Sequence, residues 1–275
     1  MQSLQKDHIT DLFVMIDDMI PVDSKPLGGR PLLLTNSELI TILIWNCLMV
    51  QQRNLKQIHK WIKTYHHREF PKLPRYSAFV DHCHRIIPLL ISVLSTLLSS
   101  KSKNAPIKLM DSTMLPVCKL CRSDRHKVAR GFAEYGKNHQ GWHFGFKLHA
   151  SIDHQGSLTG FFFTPASFHD AQAMPKILDK NTIVAVGDGT YNAKAMRDRI
   201  KQIFGTVIIA PPHFKQNKKL TALWQIALLR TRPRIESVFG YLKENLNLVT
   251  SFPRSARGYF LHYLRILIGY QLMVG

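Results

Sequence analysis

The sequence predicts an α/β chain of the α+β kind, in which an all-helical region over residues 1–100 precedes a mixed sheet flanked by helices over 107–275. Three observations carry this expectation. Up to about residue 100, apolar residues recur at three- and four-residue steps with no sustained alternation. Ser99–Pro106 (SSKSKNAP) is polar, charged and closed by proline, and reads as a linker. Beyond it, strand-like runs and helical stretches take turns, the order that builds a sheet covered by helices.

The helical elements follow from local signals. Thr35 and Glu38 form a capping box, so a helix is expected from about Asn36 into Gln52. A second helix beginning near Asn54 places Leu55, Ile58, Trp61 and Ile62 on one face and Lys56, Lys60 and Lys63 on the other. A helix-turn-helix-like DNA module and a small bundle with a solvated basic face both fit that pair. Ala78–Leu98 is a third helical stretch, which Pro88 kinks or divides.

In the second region, Ile107–Val117 reads as a strand with Asp111 at its centre and Pro116 near its end. Phe144, Phe146, Leu148, Ala150 and Ile152 alternate with Gly145, Lys147, His149 and Ser151, the pattern of a half-buried strand. Asp153–Ser157, with Gly156, supplies a turn, and Leu158–Phe163 returns as its hairpin partner. Thr182–Val186 and Val207–Ala210 are short apolar runs suited to strands covered on both faces, with a helix over Asn192–Ile203 between them. Helical periodicity resumes from Leu220 to Leu248, broken at Pro233.

Lys and Arg number 37 against 18 Asp and Glu, a formal net charge of +19. Such an excess faces a polyanion. The longest apolar runs, Leu39–Val50 and Ile266–Val274, fall short of the roughly 20 residues a bilayer requires, so they read as buried helices and a membrane partner is not expected. With no secretory signal evident, a cytoplasmic location is expected. Cys118 and Cys121 make one Cys-x-x-Cys pair, half of a zinc site, and read as ordinary thiols. No Gly-rich Lys-Ser/Thr phosphate loop is present, which argues against ATP chemistry. Arg122–Lys147 interleaves cations with Phe132, Tyr135, Trp142 and Phe144, a composition that suits unpaired bases or a surface insertion equally. Asp170, beside His169, reads as a helix cap.

Among so few acids, three stand on apolar elements: Asp111 within a strand, Asp188 directly after one in AVGDGTY, and Glu236 near the start of a late helix. Burying a carboxylate is costly unless it is paired or bound to metal. Oxygen donors of this kind suit Mg2+ or Mn2+, which one or two carboxylates hold together with substrate phosphates. Gly187 and Gly189 flank Asp188 at a strand's carboxyl end, where open α/β sheets bind ligands. Taken singly, an Arg partner for Asp111, a turn role for Asp188 and a helix-start role for Glu236 are each adequate explanations.

The order Asp111, Asp188, Glu236, carried on segments MDSTMLPVCKLCR, FGFKLHASID, VGDGTY and RPRIESVFGYLK, resembles the bacterial insertion-sequence DDE transposases, and within them the IS nine-eight-two family. The resemblance spans about Leu33–Tyr270. In the signature Tyr-x-x-Arg-x-x-x-Glu-x-x-x-x-x-x-Lys, Arg232, Glu236 and Lys243 match the spacing, and Leu229 stands at the tyrosine position. What the resemblance implies is an RNase H-like catalytic domain of the retroviral integrase superfamily. Asp111, Asp188 and Glu236 would be the catalytic, metal-binding triad for two Mg2+ or Mn2+ ions. Such an enzyme hydrolyses a phosphodiester at transposon ends and transfers the 3′-hydroxyl strand into target DNA. Its partner is double-stranded DNA, as terminal inverted repeats and as target, with a homodimer expected because two ends must be held together. Arg232, Lys243, Lys56, Lys60 and Lys63 are the residues expected to contact DNA. A metal-dependent nuclease of the same fold and a non-catalytic DNA-binding protein are the alternatives.

Overall fold

The structure, a computed structural model, describes residues 9–20, 32–212 and 222–274. Its elements are α1 (Ile9–Met19), α2 (Asn36–Met49), α3 (Leu55–Tyr65), α4 (Tyr76–Arg85), α5 (Ile87–Ser102), β1 (Ile107–Pro116), β2 (Glu134–Asn138), β3 (Gly141–Ile152), β4 (Leu158–Pro165), α6 (Asp170–Ile177), β5 (Val184–Val186), α7 (Lys194–Phe204), β6 (Val207–Ile209), α8 (Leu223–Leu229), α9 (Pro233–Glu244) and α10 (Ala256–Val274). Two compact units emerge. One joins the residues up to Leu97 with Leu246–Met273, and the other is Leu98–Asn245.

In the helical unit, α2 starts at the expected box: Glu38 N–H donates to Thr35 Oγ1 at 3.1 Å and Thr35 N–H to Glu38 Oε2 at 2.6 Å. Nearly every residue of α2 from Leu39 to Cys47 is buried, as is α10 from Leu261 to Leu272. A helix apolar all round needs neighbours all round, so these two form the centre of the unit. Residues 246–273 thus group with the N-terminal helices, whereas the sequence reading placed them with the sheet; the periodicity of α10 has no face that marks its partner. Asn54 caps α3 by accepting from Gln57 N–H at 2.8 Å. Its Ile58 and Ile62 are buried while Lys56, Lys60 and Lys63 are exposed. The chain breaks at Ile86, between α4 and α5, two residues ahead of Pro88. α5 then runs to Ser102, so half of the expected linker is helical; Ser102 is held because its hydroxyl bonds Lys108 and Asp179 in the second unit's own core.

The sheet unit has the strand order β2-β3-β1-β5-β6, with β4 also on β3. β3 is antiparallel to β1, and its outer edge is shared, β2 pairing with Gly141–Gly145 and β4 with Phe146–Ile152. β5 and β6 run parallel to β1 and to each other. This is the mixed sheet flanked by helices that the sequence predicted. The Asp153 carboxylate accepts from Gln155 and Ser157 N–H groups at 2.8 and 2.9 Å, and Gly156 takes φ +96°, which closes the β3–β4 turn where expected. On one face of the sheet Met110, Ala185 and Ile208 pack with Ala171, Met174 and Ile177 of α6 and Ile200 of α7. α9 packs against β1. Residues 134–138 pair as strand β2, which the mixed cationic and aromatic composition of that segment concealed. The helical stretch expected from Leu220 is α8 and α9, with residues 220 and 221 outside the described set.

Among the described residues no single helix is long and apolar enough to cross a membrane. Within the helical unit, His262 is fully buried: Nε2–H donates to the Asn247 carbonyl at 2.9 Å while Nδ1 accepts from Arg265 at 3.2 Å. Only the neutral ring can do both, and burial with the Arg265 charge pushes its pKa down to about 3. The unfolded chain protonates this ring near the usual 6.5. Its contribution to stability is therefore complete above that pH and is lost as pH falls towards 3. Urea unfolding followed from pH 7 to 4 should show a decline that is shallower, by order 2 kcal/mol, in His262→Gln.

Candidate active site

The site is built at the middle of β1 and just past the carboxyl end of β5. Their parallel pairing ends at Leu109 opposite Val186. Asp111 and Asp188 each follow that last pair by two residues, and they are close enough for the Asp188 charge to act on Asp111. Gly187 keeps the second strand in line by donating its N–H to the Ile209 carbonyl at 3.0 Å. A Cβ on Gly187 would lie 2.6 Å from the ring of Tyr191, which explains the glycine better than any turn requirement does. Asp188, two residues past β5, has extended backbone and its carboxylate caps the following 3-10 turn, accepting from Thr190 N–H at 2.9 Å and from the Thr190 hydroxyl.

Asp111 is held on two sides: its Oδ1 accepts from Ser112 N–H at 2.8 Å and its Oδ2 from Arg232 Nη2 at 3.4 Å. The same Nη2 lies 3.1 Å from Glu236 Oε1. One guanidinium thus ties the β1 carboxylate to the α9 carboxylate, with Arg232 at the cap position, Pro233 first in the helix and Glu236 one turn on. Burial lifts the Asp111 pKa to about 6; Ser112 N–H and Arg232 oppose the rise, and the charges of Asp188 and Asp170 add to it. The three predicted acids therefore share one neighbourhood, Asp111 beside Asp188 and joined to Glu236 through Arg232. They do not converge to a single point: among the described residues no three His, Cys, Asp or Glu side chains stand close enough to hold one ion.

The donor set nevertheless suits a hard divalent cation. Two neighbouring carboxylates, one oxygen of Asp111 held by Ser112 N–H and the other by Arg232, and one oxygen of Asp188 held by Thr190, match the one or two that Mg2+ takes together with phosphate oxygens. Glu236 is turned onto Arg232 and is exposed. Lys243 is two turns further along α9, half-buried, its pKa lowered by burial, and its charge is felt by His143 of β3.

Sequence reasoning missed two features. Asp170 is not the cap of α6; His169 is, its Nδ1 accepting from Ala171 N–H at 3.3 Å. Asp170 instead accepts from Ser112 Oγ and Lys147 Nζ, both at 2.9 Å, with His149 Nδ1 at 3.6 Å. β3 is buried on both faces from Phe144 to Ile152, not half-buried as its alternation suggested, so Lys147 and His149 on its polar side require a partner. Burial pushes the His149 pKa down. Tyr191 is the second: it is fully buried, its hydroxyl has no hydrogen-bond partner, and burial, followed by the charges of Asp170, Asp111 and Asp188, raises its pKa. Phosphodiester chemistry at a paired-carboxylate site on a mixed sheet is what this arrangement can perform.

Residues 101–256, more than half of the chain, match the family model described as Transposase DDE domain. The chain belongs to that family. It is a DNA transposase, an enzyme of the polynucleotidyl transferase class, and the sheet is the family's RNase H-like fold. The matched segment carries Asp111, Asp188, Asp170 and Glu236. Neither a curated protein nor a solved structure matches this transposase.

Two substitutions separate packing from chemistry. Gly187→Ala, which forces a Cβ into the Tyr191 ring, should lower unfolding free energy by about 1–3 kcal/mol. Tyr191→Phe removes an unpaired buried hydroxyl and should leave stability unchanged or raise it by about 1 kcal/mol. Equilibrium urea denaturation reads both; a large loss in the second would mean that the hydroxyl is bonded.

Proposed function

We propose that this transposase hydrolyses a phosphodiester at the ends of its element and then transfers the exposed 3′-hydroxyl strand into target DNA, with Asp111, Asp188 and Glu236 as its acidic triad. The observation that carries the reading is the convergence of the three acids: Asp111 on β1 feels the charge of Asp188 just past β5, and Arg232 ties it to Glu236. Asp111 and Asp188 would hold the first Mg2+ or Mn2+, and Glu236 with Asp111 the second. Such ions supply activation of the attacking oxygen and stabilisation of the leaving one.

The protein's own groups do the remaining work. Ser112 N–H and Thr190 fix the rotamers of the two aspartates, so their outward oxygens are pre-aimed and little order has to be gained on binding. Arg232 neutralises two acids that otherwise repel both one another and an incoming phosphate. Its planar fork suits phosphate as well as carboxylate, so it is also a DNA contact. Lys243 offers a point charge on the same helix. In the helical unit, exposed Lys56, Lys60 and Lys63 line one side of α3, and we assign this unit, over residues 1–100, to the recognition of duplex DNA at the terminal inverted repeats. Holding two ends at once calls for a homodimer.

The test is an end-cleavage and strand-transfer assay with Mg2+ or Mn2+ on DNA carrying the element's terminal repeats. Asp111→Asn, Asp188→Asn and Glu236→Gln should each reduce both products by about a hundred-fold or more while DNA binding in chelator persists. Unchanged activity in Asp188→Asn would refute the triad. Cleaved ends that never join a second duplex would indicate a nuclease.

A further inference from the structure

Arg265 of α10 is a charge without an opposite. It is 2% exposed, and its bonds go to neutral groups: Nη1 donates to Asn46 Oδ1 at 3.4 Å, and Nη2 donates to the Gln52 carbonyl and to His262 Nδ1 at 3.2 Å. No carboxylate of the described residues lies within ion-pair distance. Among the described residues, the groups able to become negative that act on it are the thiols of Cys47 and Cys83. Burial pushes the first to about 11 and the second higher still, so both are neutral thiols. Amides would tie Asn46 and Gln52 together without the several kcal/mol that an unmatched buried ion costs. A cation kept there calls for an anion.

A cavity of about 120 Å3 opens above it, wholly within the helical unit; its lining is mostly apolar, with Leu55, Ile58 and Val80 among it, and carries Arg265, Arg53 and Arg254 beside the rings of Tyr76 and Phe252. That is well beyond the roughly 10–15 Å3 that one water needs. Arg53 and Arg254 are exposed at its rim, and Tyr76 and Phe252 are 42% and 47% exposed. Two helices begin at the same cavity: α3 behind Asn54, and α10 where Ser255 Oγ accepts from Gly258 N–H at 3.1 Å. Positive helix ends and arginines favour an anionic group, while the aromatic rings offer faces for a planar one. The acid nearby, Asp81, acts on the lining His84, and Arg257 offsets it.

We propose that this cavity binds one nucleotide of DNA, with its phosphate between Arg53 and Arg254 above the Arg265 charge and its base against Tyr76 and Phe252. The assignment rests on DNA being the transposase's substrate and is independent of the carboxylates. Measured in EDTA, its failure is distinct from failure of the triad.

The experiment is fluorescence anisotropy of a labelled ten-residue oligothymidylate against the full chain over a range of salt. Arg53→Ala with Arg254→Ala should weaken binding about ten-fold or more and reduce the slope of log K on log salt by about 0.7, one phosphate contact on a single strand. Tyr76→Ala should weaken binding with the slope unchanged. Arg68→Ala, an exposed arginine away from the cavity, should change affinity by less than about two-fold. Arg265→Met, with folding checked by circular dichroism, should bind as weakly as the double variant. A double variant that binds as the parent does, with the same slope, overturns the proposal; so does an equal loss in Arg68→Ala.

Discussion

Two neighbouring carboxylates repel each other, and the site around them is organised to hold that repulsion in place. Asp111 sits within β1 and Asp188 just past β5, close enough for the one charge to act on the other. Ser112 N–H and Thr190 each grip one oxygen, and Arg232 reaches from the start of α9 to neutralise Asp111 and Glu236 together. Burial raises Asp111 to about 6, so it accepts a proton more readily than surface acids do. Opposite charge relieves such a pair best, and a divalent cation concentrates more of it than a guanidinium can. Arg232 is best understood as the resting counter-ion of a site whose geometry suits metal and phosphate.

The same logic explains the second layer. Asp170 lies behind β1 and is satisfied by Ser112 Oγ and Lys147, so the backbone that holds Asp111 through the Ser112 N–H is itself anchored through the Ser112 side chain. Tyr191 packs between α6 and the sheet, and the glycine before Asp188 exists because that ring lies against it. Moving any of these would shift the aspartates by fractions of an ångström, and positioning is most of what a protein contributes to phosphoryl transfer. Throughout the chain cations outnumber acids by about two to one, and the contrast between paired cations such as Lys108 and the unmatched Arg265 separates structure from binding.

Much of this was legible in the residues. Capping at Thr35 and Glu38, the alternation from Phe144 to Ile152 and the apolar runs before Asp188 and Pro211 are local signals, and each produced its element. The acids were legible because carboxylates are rare here and lie on apolar segments. What escaped was long-range. Asp170 looked like a cap because its partners lie 23 and 58 residues away on β3 and β1. Residues 246–273 could not be assigned to the helical unit from periodicity, because a helix buried on all sides has no distinctive face. Strand β2 hid in a run of cations and aromatics, and the convergence of Arg53, Arg254 and Arg265 needed the fold.

The central claim is that Asp111 and Asp188 form one divalent-cation site. Titration of the purified chain with Mn2+, followed by the electron paramagnetic resonance of the free ion, addresses it without DNA or turnover. The account predicts saturable binding that disappears in Asp111→Asn and in Asp188→Asn and survives, weakened, in Glu236→Gln. Identical titrations for the parent and both aspartate variants would contradict it.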